Sequence, residues 1–196
     1  MKSAILMAAG KGTRMHSDLP KVMHQVCGKP MLSHIIDNCR KASVERIVTI
    51  VGYGHEIVEA AMQNECEFAL QMPQLGTGHA VMQATQLENE KGLTLVINGD
   101  CPCIQSETLE QLLKECEDAD MVVLSAVVED ARSYGRIVRK ENGNIDRIVE
   151  FKDCNEEEKA IHEINTGIYC FNNEKLFKHL KDIGNKNAQK EYYITD

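Results

Sequence analysis

The sequence predicts an α/β fold: a mainly parallel sheet flanked by helices, with a small antiparallel insert. Three observations predict it. Short aliphatic runs recur along the chain at Ala4–Met7, Ile47–Val51, Phe68–Leu70, Leu93–Ile97 and Met121–Val127, each with the length and composition of a strand buried on both faces. Apolar residues at helical spacing fall between several of these runs. After residue 130 the texture changes to that of a hairpin. Strand–helix alternation with short connections places the strands parallel and the helices on both faces of a Rossmann-like sheet.

In order, the first run leads directly into a glycine loop. Leu32, Ile35, Ile36 and Cys39 then form one face of a helix, with Pro30 just before it, a position where a missing N–H costs nothing. Leu109, Leu112, Leu113 and Cys116 repeat the pattern after Ser106, the predicted N-cap, with Glu107 and Glu110 in the first turn. Gly135–Lys140 and Ile145–Glu150 flank Glu141-Asn-Gly-Asn144, which is a hairpin signal. Asp153–Lys159 reads as a solvated acidic patch and Ile164–Phe171 as a strand, together forming an antiparallel insert beside the parallel sheet. The closing Glu191-Tyr-Tyr-Ile-Thr-Asp196 reads as the opening of another element. With no internal repeat or low-complexity linker, the expectation is one domain over residues 1–196.

Composition narrows the function classes. The 196 residues suffice for a substantial core, and 43% are hydrophobic with no Trp, which suits an aliphatic interior. Twenty-two basic against 30 acidic residues give a net charge of −8, so a polyanionic nucleic acid would meet net repulsion. Met1-Lys2-Ser3 runs straight into the first strand without a signal-peptide pattern, so the eight cysteines are expected as free thiols in the cytoplasm. No apolar run reaches membrane-spanning length. Cys101-Pro-Cys103 and His55-Glu56 lack the spacing of zinc sites and read as packing and loop residues.

The most informative stretch is Met7-Ala-Ala-Gly-Lys-Gly-Thr-Arg-Met-His-Ser-Asp-Leu-Pro-Lys21. Small residues at Ala8, Ala9, Gly10 and Gly12 let backbone N–H groups approach an anion, and Arg14 and Lys21 set two positive charges beside the loop. The spacing is not that of a Walker loop, and Met15 stands where a dinucleotide fingerprint needs its third glycine. A strand, a glycine loop and two cations suit a nucleoside triphosphate. Asn98-Gly99-Asp100 ends the Leu93–Ile97 strand, where open α/β sheets bind ligands, and a carboxylate there is placed to hold Mg²⁺. Gln71-Met-Pro-Gln-Leu-Gly-Thr-Gly-His79 forms a second loop. Its Gln amide can read a pyrimidine edge, and Gly76 and Gly78 permit close approach, but composition alone fits a plain glycine turn equally well.

The run Met7–Lys21 resembles the signature of sugar-nucleotide nucleotidyltransferases, or pyrophosphorylases. With Gln71–His79, Gly99-Asp100, Ser133-Tyr-Gly-Arg-Ile137, and Glu150 followed by Glu163-Ile-Asn-Thr-Gly-Ile168, five motifs stand in order. The whole chain, including Asn187–Asp196, is similar to the uridylyltransferase domain of bacterial N-acetylglucosamine-1-phosphate uridyltransferases. That resemblance implies a nucleotide-diphospho-sugar transferase fold, Mg²⁺ as cofactor, and UTP and N-acetylglucosamine 1-phosphate as substrates. It implies that Met7, Ala8, Ala9, Gly10, Lys11, Gly12 and Thr13 hold the nucleotide and its phosphates. Gln71, Gly76 and Thr77 would recognise uracil, and Asn98 and Gly99 would line the same site. Asp100 would bind the metal, while Gly135, Glu150 and Asn165 would contact the amino sugar. Lys21 and Arg14 are the implied catalytic residues, near the α-phosphate and the departing pyrophosphate respectively.

The likeness has gaps. Family members continue into a segment that supplies an Asn as second metal ligand, then into a β-helix that transfers acetyl groups and forms trimers. Without these the expectation is a monomer or weak dimer, with no acetyl transfer and with weakened turnover. Asn98 also stands where the family often has a larger residue. Two alternatives follow: a truncated, non-catalytic nucleotide-binding module, or the same chemistry on another sugar or base, against which the Gln71–His79 and Glu163–Ile168 matches argue.

Overall fold

Aliphatic β-branched runs separated by helix-length segments cannot pair as hairpins, and each helix instead returns the chain for a parallel strand. The computed structural model describes residues 1–196 and shows this arrangement. Its elements are β1 (Lys2–Met7), β2 (Gln25–Val26), β3 (Lys29–Pro30), α1 (Met31–Lys41), β4 (Arg46–Val51), α2 (His55–Met62), β5 (Glu67–Leu70) and α3 (Thr77–Met82). There follow β6 (Leu93–Asn98), α4 (Ser106–Glu115), β7 (Met121–Val127), β8 (Gly135–Arg139), β9 (Ile145–Val149), α5 (Glu156–Lys159), β10 (Glu163–Asn172) and α6 (Asn173–His179).

Strands β5, β4, β1 and β6 lie parallel in that order, and β10 joins antiparallel to β6. The strand period of two divides β1 between two cores. Ala4 and Leu6 pack with Leu32, Ile35 and Ile36 of α1, Val58 of α2 and Leu109 of α4, whereas Ile5 packs with Val81 of α3 and Leu176 of α6. Helices therefore cover both faces, as predicted. No helix is long and apolar enough to cross a membrane, and all eight cysteines are free thiols.

Four details differ from the sequence reading. β5 and β7 carry mostly partly exposed side chains, because β5 ends the sheet and β7 pairs only with β10. The antiparallel strands extend the parallel sheet rather than lying beside it, since β10 bonds directly to β6. Ser106 is the first helical residue, with extended Gln105 before it as the cap, and its hydroxyl donates to Glu107 rather than accepting from an N–H of the helix start. Within the acidic stretch, Asn155 and Glu158 close a capping box on α5, and Glu158 is buried against Arg147. A carboxylate that looks solvated in sequence is thus held by the Arg147 guanidinium and the Asn155 N–H, while Glu158 N–H donates to the Asn155 side chain.

The feature that shapes the site is β10. Its first residues pair with β8 on one side, Asn165 opposite Gly135, and its last pair with β6, Tyr169 opposite Val96. β7 runs along its other side, and the register shifts between Asn165 and Tyr169. The end of β6 and the start of β8 therefore meet end to end on one edge of β10. Gly167 within this bulge has φ +76°, and an added Cβ would lie 2.4 Å from Asn98 Nδ2. The left-handed backbone favours glycine there, and a larger residue would displace the Asn98 amide.

Ile5 has no exposed surface at the sheet centre, whereas Val127 at the end of β7 is 80% exposed. Ile5→Ala is expected to cost about 2–5 kcal/mol through lost burial and the cavity left behind. Val127→Ala should stay within about 0.5 kcal/mol. Urea denaturation of both variants checks the contrast.

Candidate active site

Once β1 reaches its end, Ala8 N–H donates to Ile50 carbonyl at 2.9 Å, the last bond tying the loop to the sheet. Gly12, at φ +63°, then turns the chain into a short 3₁₀ segment, Thr13–Met15. A Cβ on Gly12 would lie 2.7 Å from Lys21 Cβ. This glycine thus lets the aliphatic stem of Lys21 pass the loop, a role separate from any approach to an anion. The Lys21 ammonium reaches the Asp100 carboxylate and pairs with it, each side chain about one-third exposed.

Asp100 is placed by the residue before it. Gly99 N–H donates to Met7 carbonyl at 2.9 Å, and a Cβ on Gly99 would come within 3.0 Å of that oxygen and 2.9 Å of Val22 Cγ1. Gly99 therefore lets the β6 terminus close onto β1, leaving Asp100 facing the loop. Cys101 packs beside it; burial, reinforced by the Asp100 charge, pushes its thiol up to about 11. It stays protonated at neutral pH and serves as packing.

In the second loop, Gln71 is buried, and its amide Nε2 donates to Gly76 carbonyl at 2.9 Å and lies 3.1 Å from His79 Nδ1. Its donor side is spent inside the loop, leaving the carbonyl oxygen to accept from a ligand. Gln74 spans the two loops, donating to Ala9 carbonyl. The chain's closing residues dock on this loop through main-chain bonds: Tyr192 N–H to Leu75 carbonyl at 2.8 Å and Gly78 N–H to Tyr192 carbonyl at 2.7 Å. Ile194 N–H donates to Thr77 Oγ1 at 3.1 Å. Gly76, at φ +115°, allows this, since a Cβ there would sit 2.5 Å from Tyr192 O.

These loops enclose a cleft of about 470 Å³ at the carboxyl ends of the parallel strands. Met7, Ala8, Ala9, Gly10, Gly12, Thr13, Arg14, Lys21, Gln71, Gly76, Thr77, Asn98 and Asp100 line it, all anticipated from sequence. Lys11 does not; its ammonium lies over the Tyr53 ring, 5.1 Å from the centroid. Gly99 is also outside the lining, for the packing reason above. Sequence reasoning missed Gln74 and Glu191, which also line the cleft. The glutamine had a local signal, standing inside the loop motif. Glu191 had none, because only the fold brings the chain's end to that loop.

A second cleft of about 210 Å³ adjoins the first and holds Gly135, Glu150 and Asn165 together with Ser133, Tyr134 and Tyr169. Asn165 Nδ2 donates to Tyr169 hydroxyl at 2.7 Å, and its Oδ1 accepts from Gly167 N–H at 3.0 Å. Burial holds the Glu150 carboxyl above the usual carboxylate range; a hydrogen bond from Thr195 Oγ1 at 3.4 Å opposes this, and the charges of Asp153 and Asp196 add to it. Met7, Thr77 and Asn98 line both clefts. Asn98, assigned from sequence to the nucleotide, stands at the junction, its Nδ2 near the carbonyls of Gly167 and Thr166 at 3.3 and 3.5 Å.

Comparison with known proteins now bears on this geometry. Residues 3–196 match the family model described as nucleotidyl transferase. The chain belongs to that family. It is 53% identical, over 98% of its length, to the bifunctional protein GlmU of Bacillus cereus (strain AH187), and equally to that of Bacillus thuringiensis (strain Al Hakam). It spans 43% of those relatives. Among solved structures, UDP-glucose pyrophosphorylase complexed with UDP-glucose superposes with a TM-score of 0.75 at 22% identity, covering all of this chain and 84% of that one. HddC from Yersinia pseudotuberculosis complexed with GMP-PN gives 0.69 at 21%, with the same coverages. At such identities these two establish the fold, a nucleotidyltransferase sheet with its antiparallel extension.

A half-buried carboxylate with a raised pKa, such as Glu150, carries a stability cost that grows as pH climbs from its unfolded to its folded pKa. Glu150→Gln is therefore expected to raise Tm at pH 7, with the gain shrinking as pH falls toward 4 and both states protonate. Thermal denaturation across that range checks the sign.

Proposed function

We propose that this chain transfers a uridylyl group from UTP to N-acetylglucosamine 1-phosphate, releasing pyrophosphate and forming UDP-N-acetylglucosamine. The observation that carries the reading is the wall common to the two clefts, where Met7, Thr77 and Asn98 face both. A nucleotide in the larger cleft and a sugar phosphate in the smaller would bring their phosphates together there. The 53% identity to GlmU supports the choice of base and sugar over the part of that protein which the chain spans.

In this reading a phosphate oxygen of the sugar phosphate attacks the α-phosphorus in line. The new oxygen–phosphorus bond forms as the bond from the α-phosphorus to the bridging oxygen breaks, and pyrophosphate leaves with that electron pair. The nucleophile is already anionic, so no residue need take a proton. The obstacle is repulsion between two polyanions. Arg14 and Lys21 offset it, and holding both phosphates at the common wall supplies alignment. A triphosphate entering the cleft offers Lys21 a more highly charged partner than Asp100. Freed of the lysine, the Asp100 carboxylate has the hard-oxygen chemistry to hold Mg²⁺ with substrate phosphates and water, and the ion would neutralise phosphate charge when bound. Gln71 accepts from the base, while Glu150 accepts from a sugar hydroxyl and Asn165, with Gly135, bounds the acetamido side.

We take residues 1–196 as a nucleotidyltransferase domain acting in the cytoplasm. A second reading, a nucleotide-binding module without turnover, draws on one observation: Asp100, the carboxylate at the end of β6, is already paired with Lys21.

Pyrophosphate release separates the two. Release that requires both UTP and N-acetylglucosamine 1-phosphate, and that vanishes in Asp100→Ala, is the expected result; UTP binding without release favours the module. Lys21→Ala should lower turnover about 10²–10³-fold, the scale for losing a preorganised charge at a transition state. Its Tm should barely move, since exposed ion pairs contribute about 0–1 kcal/mol. A near-normal rate in that variant removes Lys21 from the mechanism.

A further inference from the structure

Arg136 follows Gly135 in β8 and is only 2% exposed, yet no carboxylate pairs with it. Its guanidinium instead donates to four main-chain carbonyls. Nη1 reaches Ala131 at 3.3 Å and also Tyr134, while Nη2 reaches Arg132 at 3.1 Å and Lys159 at 3.4 Å. Its Nε is buried with no partner, and the group lies over the Phe151 ring, 5.5 Å from the centroid. A buried cation without a counter-charge is costly and needs a structural return. Three of the four acceptors belong to the turn before β8, where Arg132 is held at φ +41°, a conformation that non-glycine residues rarely adopt. That turn presents Ser133 and Tyr134 to the smaller cleft, and Phe151 directly follows Glu150.

We infer that Arg136 is a positioning residue for the smaller cleft: from behind, its one guanidinium fixes the Ser133–Tyr134 wall, Gly135 and the Phe151 support beside Glu150. The inference rests on the reading of that cleft as the sugar-phosphate site. A planar fork of five donors suits several converging carbonyls, which a lysine ammonium, a point donor, cannot all reach. Displacement of a binding wall by about an ångström can cost up to about 10²-fold in rate. The larger cleft shares none of these contacts, so the loss should fall on one substrate.

The test compares wild type, Arg136→Lys and Arg136→Met. Amide hydrogen exchange is followed over residues 131–135, and KM is measured for UTP and for N-acetylglucosamine 1-phosphate separately. Expected are at least tenfold faster exchange in the turn and a sugar-phosphate KM raised at least tenfold in Arg136→Met. The UTP KM should change less than twofold, and Arg136→Lys should fall between wild type and Arg136→Met. Unchanged exchange in the turn overturns the inference, as does a rise in both KM values together. Should wild type release no pyrophosphate, the functional reading fails on that result alone, and hydrogen exchange still decides whether Arg136 holds the turn. If Arg136→Met does not fold, Arg136→Lys carries both measurements, with the same outcomes counting against the inference.

Discussion

Everything at the site depends on β10 changing partners part-way along its length. A strand that continued in register beside β6 would cover the ends of the parallel strands and leave no room for a second cleft. The bulge between Asn165 and Tyr169 prevents that, and it is secured from several directions. Asn98 approaches its carbonyls, Thr166 Oγ1 donates to Leu124 carbonyl at 2.6 Å, and Asn165 caps Gly167 N–H. The bulge aims Asn165 and lets β8 start where β6 stops, so two clefts share one wall. Bulges beside active sites commonly re-aim side chains in this way.

Charge follows the same economy. The larger cleft brings Arg14 and Lys21 into an acidic protein, and Lys21 finds its counter-charge in Asp100 across the loop. The smaller cleft has the opposite character: a half-buried carboxylate, Glu150, held by burial away from easy ionisation. One cleft suits anions, the other the hydroxyls of a neutral ring. In the proposed reading, that division would suit the two parts of a sugar phosphate lying across the junction.

Much of this was legible in the residues. Aliphatic runs and helical stripes specify the parallel core, because burial of those side chains drives the fold and their periodicity survives in one dimension. The Met7–Lys21 loop and Asp100 were legible because glycines, cations and a strand-end carboxylate have few other uses in combination. Lys11 lies over the Tyr53 ring, and in sequence a lysine beside a glycine loop looks the same whether it faces a ligand or an aromatic ring. A glycine such as Gly99 admits close approach by a ligand or by backbone, and only the structure shows Met7 beside it. The edge character of β5 and β7 depends on strand order, which local hydrophobicity does not encode. Gln74 stood within the loop motif, but its bond to Ala9 joins segments 65 residues apart.

The docking of the last residues onto the second loop has a bearing on mutational tolerance. Its two main-chain bonds, between Tyr192 and the residues Leu75 and Gly78, use no side chain from the tail. Replacing the Tyr192 ring leaves both available. The stringent position is instead Gly76, where an added Cβ would meet Tyr192 O at 2.5 Å, with a Cβ on Gly78 a closer-than-usual 3.1 Å from the same oxygen. The docking of residues 192–194 is thus set more than a hundred residues upstream, by the glycines of a different loop.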